Sequence, residues 1–151
     1  VQILHVLGPK NIRGATRITD ELTGASWLPM GYVDDMASAY AAADLMVARS
    51  GAGTVVETAT VGLPTIYVPL PHGNGEQARN ATSAVDAGAG VVVANADLDV
   101  ERLLAETARI HDADVLAQMS AAGRGLMPAH AAEEMAVRVI SAATSIDPTI
   151  G

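Results

Sequence analysis

The residues with the clearest chemical potential lie between positions 49 and 57, in the segment Arg-Ser-Gly-Ala-Gly-Thr-Val-Val-Glu. This segment runs from the end of a predicted strand, through a glycine turn, into a predicted helix. At the carboxyl edge of an open α/β sheet, small residues let backbone N–H groups approach a ligand, and the helix dipole favours a phosphate. Glu57, on the same side of the first helical turn as Thr54, can accept hydrogen bonds from both vicinal hydroxyls of a ribose. The alternative is a tight glycine turn followed by a solvated first-turn acid, and spacing alone does not separate the two.

A second segment with polar side chains covers positions 68–81, where a strand is followed by a proline-rich turn, the loop Gly73-Asn74-Gly75 and a predicted helix. The helix opens with Glu76 and Gln77. Glutamine and asparagine amides both donate and accept, which matches the mixed demands of sugar hydroxyls. An ordinary helix with a polar first turn remains the alternative interpretation of this segment.

Weaker signals lie elsewhere in the chain. The loop at positions 31–35 can present backbone amides to a planar base, or serve only to start the next helix. Ser50 does not stand in the Gly-x-Ser-x-Gly turn of hydrolases, so no catalytic triad is predicted. The histidines are scattered without the spacing of metal ligands, and we predict no metal site. They are His5, His72, His111 and His130.

Alternating strand and helix patterns must position these segments. Short apolar runs predict strands at residues 1–7, 26–29, 44–48, 65–68 and 90–94. Helical patterns follow at residues 34–43, 53–61 and 76–87, and only helices are predicted thereafter, at 97–111, 113–123 and 131–144. We expect Gly62 to end one helix and Asp97 or Asp99 to cap another. Repeated strand–helix units predict an α/β fold with a parallel sheet.

The bulk composition limits the possible functions. The 151 residues are enough for one domain, and half of them are hydrophobic. A formal net charge of −8 disfavours nucleic-acid partners, although local geometry can still hold a small anion. The absence of cysteine excludes disulfides and thiolate chemistry and fits a cytosolic protein. Apolar runs are too short to span a bilayer. Because the sequence starts directly in a strand without an initiator Met, we expect a fragment.

Several of these segments, in this order, closely resemble the C-terminal domain of the MurG family of glycosyltransferases. They are residues 49–57, Gly62-Leu63-Pro64, 73–77 and Asn80-Ala81, with residues 5–8 and 32–36 at matching distances. The resemblance implies a Rossmann-like open parallel sheet forming the C-terminal half of a GT-B glycosyltransferase. Residues 1–144 would form the nucleotide-sugar-binding domain, lacking its first strand and glycine-serine loop, and residues 145–151 a flexible tail.

The resemblance also implies roles for particular residues. The backbone near Tyr32 and Val33 would read a uracil, and Glu57 would hold the ribose hydroxyls. Residues 52–54 would lie along the diphosphate and sugar, and polar side chains of residues 76–80 would address the hydroxyls of N-acetylglucosamine (GlcNAc). Gly53 stands where many relatives carry Leu or Met. The full substrate-binding set is Tyr32, Val33, Arg49, Ser50, Gly51, Ala52, Gly53, Thr54, Glu57, Glu76, Gln77 and Asn80.

The activity implied by the resemblance is inverting transfer of GlcNAc from UDP-GlcNAc to undecaprenyl-diphospho-MurNAc-pentapeptide in peptidoglycan biosynthesis, without a cofactor or metal. The catalytic groups and the lipid-linked acceptor would belong to an N-terminal domain outside this chain, so the chain alone is expected to be inactive. The protein would be cytoplasmic and peripheral at the inner membrane face. Alternatives are a non-catalytic UDP-sugar-binding subunit or a related GT-B transferase with another acceptor, although residues 73–77 argue against the latter.

Overall fold

The computed structural model describes residues 1–72, 74–126 and 130–144. Gly73 of the predicted sugar-facing loop and the predicted tail at 145–151 lie outside these residues. The chain divides into two compact units, Val1–Ala42 and Ala43–Gly151. Each unit contains a sheet of three strands.

The first unit is built on β1 (Gln2–Val6), β2 (Ile18–Thr19) and β3 (Ser26–Met30), in the order β1-β3-β2. β1 and β3 pair in parallel, as predicted. β2 pairs antiparallel to β3 and was not predicted, because glycines interrupt any pattern in this stretch. Between β2 and β3, the Asp20 carboxylate accepts hydrogen bonds from the Thr23 hydroxyl and the Leu22 amide. These bonds, the Thr23 bond first, lower the pKa of Asp20.

Helix α1 (Met36–Ala42) begins later than the predicted 34–43. The predicted bounds place Asp34 and Asp35 in the first turn of the helix, which is wrong, because both residues precede α1. Asp35 instead accepts hydrogen bonds from the Ser38 hydroxyl at 2.6 Å and the Ser38 amide at 3.0 Å. These bonds satisfy a donor at the helix start and, with the hydroxyl as the main cause, lower the pKa of Asp35.

The second unit is built on the parallel strands β4 (Met46–Ala48), β5 (Thr65–Tyr67) and β6 (Gly90–Val92), in the order β4-β5-β6. Helix α2 (Ala52–Val61) connects β4 to β5 and ends at Gly62, whose φ of 69° confirms the predicted glycine stop. This parallel sheet with connecting helices confirms the predicted α/β class.

Two short helices, α3 (Glu76–Asn80) and α4 (Thr82–Asp86), connect β5 to β6. The sequence predicted one helix at residues 76–87. The interruption falls at Ala81, where ψ is −13° instead of the roughly −42° of a regular helix. The Ala81 carbonyl still accepts a hydrogen bond from the Val85 amide at 3.0 Å, so the second short helix follows directly.

The remaining described elements are helical, as predicted: α5 (Val100–Ile110), α6 (Ala113–Arg124) and α7 (Ala131–Thr144). Asp99 caps α5 by accepting from the Arg102 amide at 2.7 Å, which selects one of the two predicted caps. Asp112 caps α6 in the same way, and this cap was not predicted. None of the helices in the described ranges has both the length and the apolar character needed to cross a membrane.

The hydrophobic core of the second unit is organised around β5, whose residues are all buried. Successive strand residues face opposite sides. Tyr67 packs in one cluster with Val55, Ala81, Ala84 and Ala89. Ile66 packs in the other cluster, with Val93, Ile110 and Met119. The strand that leads into the candidate site is therefore held from both faces.

Candidate functional site

The candidate site lies at the carboxyl edge of the second sheet. The three strands are parallel, so the segments that follow Ala48, Tyr67 and Val92 leave the sheet at the same edge. Two of these segments are the ones that the sequence singled out, at positions 49–57 and 68–81. The third, which follows β6, was not predicted to contribute.

Helix α2 begins at this edge with Gly51 as its N-cap, at φ −62° and ψ 148°. In the part of the chain that the structure describes, no side chain caps the amides of this first turn. A helix start leaves N–H groups without intrahelical partners, and the aligned peptide dipoles favour an anion there. Ala52 and Gly53 are exposed and Thr54 is half-buried. This arrangement can receive an anionic group such as a phosphate.

Glu57 lies in the second turn of α2, because the helix begins at Ala52 and has no acid in its first turn. The prediction of a first-turn acid is therefore wrong. This position weakens the purely helix-stabilising interpretation, since the macrodipole effect fades beyond the first turn. A Cβ built on Gly53 would lie 3.9 Å from Glu57 Oε1. The carboxylate is thus close to the helix start and is exposed.

Ser50 immediately precedes the N-cap and is completely buried. Among the described residues, its hydroxyl has no hydrogen-bond partner. Its carbonyl accepts a hydrogen bond from Asn80 Nδ2 at 3.1 Å. Ser50 therefore links the first candidate segment to the helix that carries the second.

The amides of Gln77 and Asn80 are oriented by backbone groups. Gln77 Oε1 accepts from the Leu70 amide at 3.0 Å, while Asn80 Nδ2 donates to the Ser50 carbonyl. A backbone N–H requires an oxygen partner and a carbonyl requires a donor, so both amide orientations are determined. Gln77 retains its amide nitrogen as a donor and Asn80 retains its amide oxygen as an acceptor. Both side chains belong to half-buried residues, and Glu76 is exposed.

Arg49 makes contacts that the sequence did not predict. Its Nη1 donates to the Val68 carbonyl at 3.1 Å, the Pro69 carbonyl at 3.4 Å and Asn95 Oδ1 at 2.7 Å. Asn95 lies shortly after β6, at the same sheet edge. Its only sequence signal is that it is a polar residue following a buried strand. The family resemblance predicts Arg49 as a substrate-binding residue, but the contacts of its guanidinium in the structure are with the protein itself.

Tyr32 and Val33 belong to the first unit, after β3. Tyr32 is 69% exposed, which leaves its ring accessible. Their assignment to a nucleobase remains a prediction. His72 is exposed and has no assigned role. Within residues 1–72, 74–126 and 130–144, no group of three or more His, Asp or Glu side chains is arranged to hold a metal ion.

Comparison with known proteins shows which family and which relatives this chain is similar to. Residues 1–136 match the family model described as "Glycosyltransferase family 28 C-terminal domain". A protein of Nocardioides sp. named UDP-N-acetylglucosamine--N-acetylmuramyl-(pentapeptide) pyrophosphoryl-undecaprenol N-acetylglucosamine transferase is 44% identical over 137 residues, which is 90% of this chain and 37% of that protein. A protein of the same name from Mycobacterium ulcerans is 47% identical over 139 residues, covering 90% of this chain and 35% of the relative.

Two solved structures of transferases are similar to this chain in fold. The crystal structure of Acinetobacter baumannii MurG matches 93% of this chain and 43% of its own, with a TM-score of 0.82 and 26% identity. A glycotransferase of kitacinnamycin matches 93% of this chain with a TM-score of 0.67 and 22% identity, which supports the GT-B type of fold only. The chain spans little more than a third of the length of the curated relatives described above.

Proposed function

The chain belongs to the glycosyltransferase family 28 C-terminal domain family, and from this premise we propose that it is the donor-binding half of a transferase that uses UDP-GlcNAc. The observation that carries the proposal is the convergence of three features at one sheet edge. These are a helix start without a side-chain cap, the carboxylate of Glu57 beside it, and the two oriented amides of Gln77 and Asn80.

Each feature suits one part of a nucleotide sugar. The backbone amides of residues 51–54 are suited to the diphosphate, because they combine free donors with the positive end of the helix dipole. Glu57 is suited to the ribose, since a carboxylate accepts bonds from two vicinal hydroxyls. Gln77 and Asn80 offer a donor and an acceptor to sugar hydroxyls. Tyr32 and Val33 are assigned to the uracil through the family resemblance.

For the reaction, we propose that this half stabilises the charge that develops on the departing diphosphate. Preorganised donors at a site of developing charge are worth several kcal/mol in enzymes, roughly 3–4 for a single donor. The acceptor is proposed to be the lipid-linked MurNAc-pentapeptide named for the relatives, bound by a separate domain at the cytoplasmic membrane face. Catalytic groups are assigned to that domain, so this chain by itself is expected to bind donor without transferring sugar.

Calorimetric titration of the chain with UDP, UDP-GlcNAc, UDP-GalNAc and UDP-glucose tests the proposal. We expect UDP to bind and the GlcNAc donor to bind more tightly than donors that differ in the hydroxyls or lack the acetamido group. Failure of UDP and of every UDP-sugar to bind would refute the donor-binding role. Equal binding of all three sugars would leave nucleotide binding in place but contradict the assignment of GlcNAc specificity to Gln77 and Asn80.

A further inference from the structure

We propose that Arg49 and Asn95 form a clamp that positions the sugar-recognition amides, and that Arg49 acts as a positioning residue without contacting the ligand. This inference rests on the proposed function, because it assigns the clamp to the sugar end of the donor site. Asn95 lies outside every segment in which the sequence predicted residues of the site. The clamp is defined as the Arg49 guanidinium with its three oxygen partners, on Val68, Pro69 and Asn95.

The clamp joins the segments that follow all three strands of the second sheet. Arg49 directly follows β4, Val68 and Pro69 directly follow β5, and Asn95 comes shortly after β6. The shortest bond, at 2.7 Å, is the one to Asn95. Bonds from a charged donor are roughly twice as strong as neutral ones, so a single side chain links the segments that follow three strands.

From the clamp, backbone contacts lead to both amides. Val68 and Pro69 directly precede Leu70, whose amide donates to Gln77 Oε1 at 3.0 Å. Ser50 directly follows Arg49, and its carbonyl accepts from Asn80 Nδ2 at 3.1 Å. Both amides are therefore anchored to backbone within one residue of a clamp member. Loosening the clamp should disturb the sugar end of the site more than the helix start, which is held by the buried core residue Val55.

Two possible roles of Arg49, contact with the ligand and positioning of the amides, can be distinguished by binding measurements. An arginine that touches the diphosphate would affect UDP and UDP-GlcNAc equally. An arginine that positions Gln77 and Asn80 would affect UDP-GlcNAc selectively. A diphosphate-contacting role of Arg49 and the positioning role proposed here therefore lead to opposite results in the same titration.

The experiment uses the chain as it stands, with Arg49→Met, Asn95→Ala and Asn95→Asp. Residues that are coupled in one hydrogen-bond network typically interact with a free energy that corresponds to a change in affinity of roughly ten-fold. We expect Arg49→Met and Asn95→Ala to weaken UDP-GlcNAc about ten-fold more than UDP. Asn95→Asp keeps an acceptor for the guanidinium and should restore near-wild-type selectivity. In the Arg49→Met background, Asn95→Ala should have no further effect.

Hydrogen exchange of the Leu70 amide supplies a measurement that needs no ligand. Exchange should accelerate in Arg49→Met and Asn95→Ala and stay near wild type in Asn95→Asp. Arg124→Met is a matched control, because Arg124 also donates to a backbone carbonyl, that of Val61, at the opposite end of α2. It should change neither Leu70 exchange nor donor selectivity.

A failure of the clamp proposal and a failure of the proposed function would give different results. Equal weakening of UDP and UDP-GlcNAc by Arg49→Met, with unchanged Leu70 exchange, would make Arg49 a ligand contact and overturn the clamp. If wild type bound neither nucleotide, the proposed function would fail, and Leu70 exchange alone would still confirm or overturn the mechanical link. If Arg49→Met did not fold, donor selectivity and Leu70 exchange in Asn95→Ala and Asn95→Asp would decide whether the clamp positions the amides.

Discussion

Helix α2 begins differently from the two longer helices α5 and α6 of the same unit, and the contrast supports the proposed position of the ligand. α5 and α6 begin with aspartates whose carboxylates accept from the first-turn amides. α2 begins with Gly51, and no described side chain takes that role. A side-chain cap is worth about 1 kcal/mol, so α2 lacks a stabilising contribution that α5 and α6 have. The short helices α3 and α4 also lack a side-chain cap. Among the longer helices α2, α5 and α6, the uncapped start is the one at the carboxyl edge of the sheet, beside Glu57, Gln77 and Asn80.

The comparison also explains the residue types. An aspartate at α2 would satisfy the helix but repel an anionic ligand, whereas at α5 and α6 it has no such ligand to oppose. Glycine at position 51 leaves the amides accessible, and a Cβ built there meets nothing within 4 Å. The space beside this helix start is therefore open, and the difference between the two kinds of start can be tested by exchanging their residues.

The largest expected effect comes from giving α2 the kind of cap that α5 has. In Gly51→Asp, two unit charges about 4 Å apart at an effective dielectric constant of about 20 repel by roughly 4 kcal/mol, so UDP affinity should fall by about two to three orders of magnitude. The melting temperature should be unchanged or slightly higher, since Asp is a better cap than Gly by a few tenths of a kcal/mol. Calorimetry and thermal unfolding measure the two effects.

Gly51→Ser is the control for that substitution, because it adds a cap without charge. It should retain much more UDP affinity than Gly51→Asp. If Gly51→Asp bound UDP as wild type does, the diphosphate would not lie at the start of α2, and the difference between the capped and uncapped helices would have no functional meaning.

A smaller effect is expected from Glu57→Gln. Hydrogen bonds to a charged group are worth about 1.5–3 kcal/mol, so UDP affinity should fall roughly ten- to a hundred-fold. Wild type should discriminate against 2′-deoxy-UDP, while the variant should bind UDP and 2′-deoxy-UDP almost equally. Glu101→Gln, in the first turn of the capped helix α5, is the matched control and should leave UDP binding unchanged. Equal discrimination by wild type and Glu57→Gln would remove the ribose assignment.

The smallest effect is expected from removing the side-chain cap of α5. Asp99→Ala removes the acceptor of the Arg102 amide and should lower the free energy of unfolding by about 1 kcal/mol, measured in urea. UDP affinity should not change. A change of several-fold in affinity on this substitution would show that capped and uncapped helix starts are not functionally separate.

Much of the second unit follows from local patterns in the sequence. The positions of β4, β5 and β6 were predicted because short β-branched and apolar runs are bounded by glycine and proline. Gly62 was predicted as a helix stop because only a residue tolerant of positive φ suits that position. The sequence placed residues 49–57 and 68–81 each directly after a strand, and the parallel pairing of β4 and β5 brings both segments to one edge.

Other features depend on distances that a sequence pattern does not contain. Arg49 and Asn95 are far apart along the chain, and neither residue type specifies the other as a partner. The start of α2 differs by only one residue from the predicted start, and Glu57 is the sixth residue of the helix. The break at Ala81 has no signal in the local pattern either, because it falls within a continuous run of helix-forming residues.

The distribution of aromatic residues has an experimental consequence for optical spectroscopy. The chain contains one Trp, three Tyr and no Phe. Trp27 is on β3 in the first unit, whereas Tyr67 is buried in the second unit, with its hydroxyl 2.8 Å from Thr58 Oγ1. Tryptophan fluorescence therefore monitors the first unit, whereas far-ultraviolet circular dichroism is dominated by helices, and α2 to α7 belong to the second unit. Coincident denaturation curves from the two signals would be evidence that both units unfold in one cooperative transition.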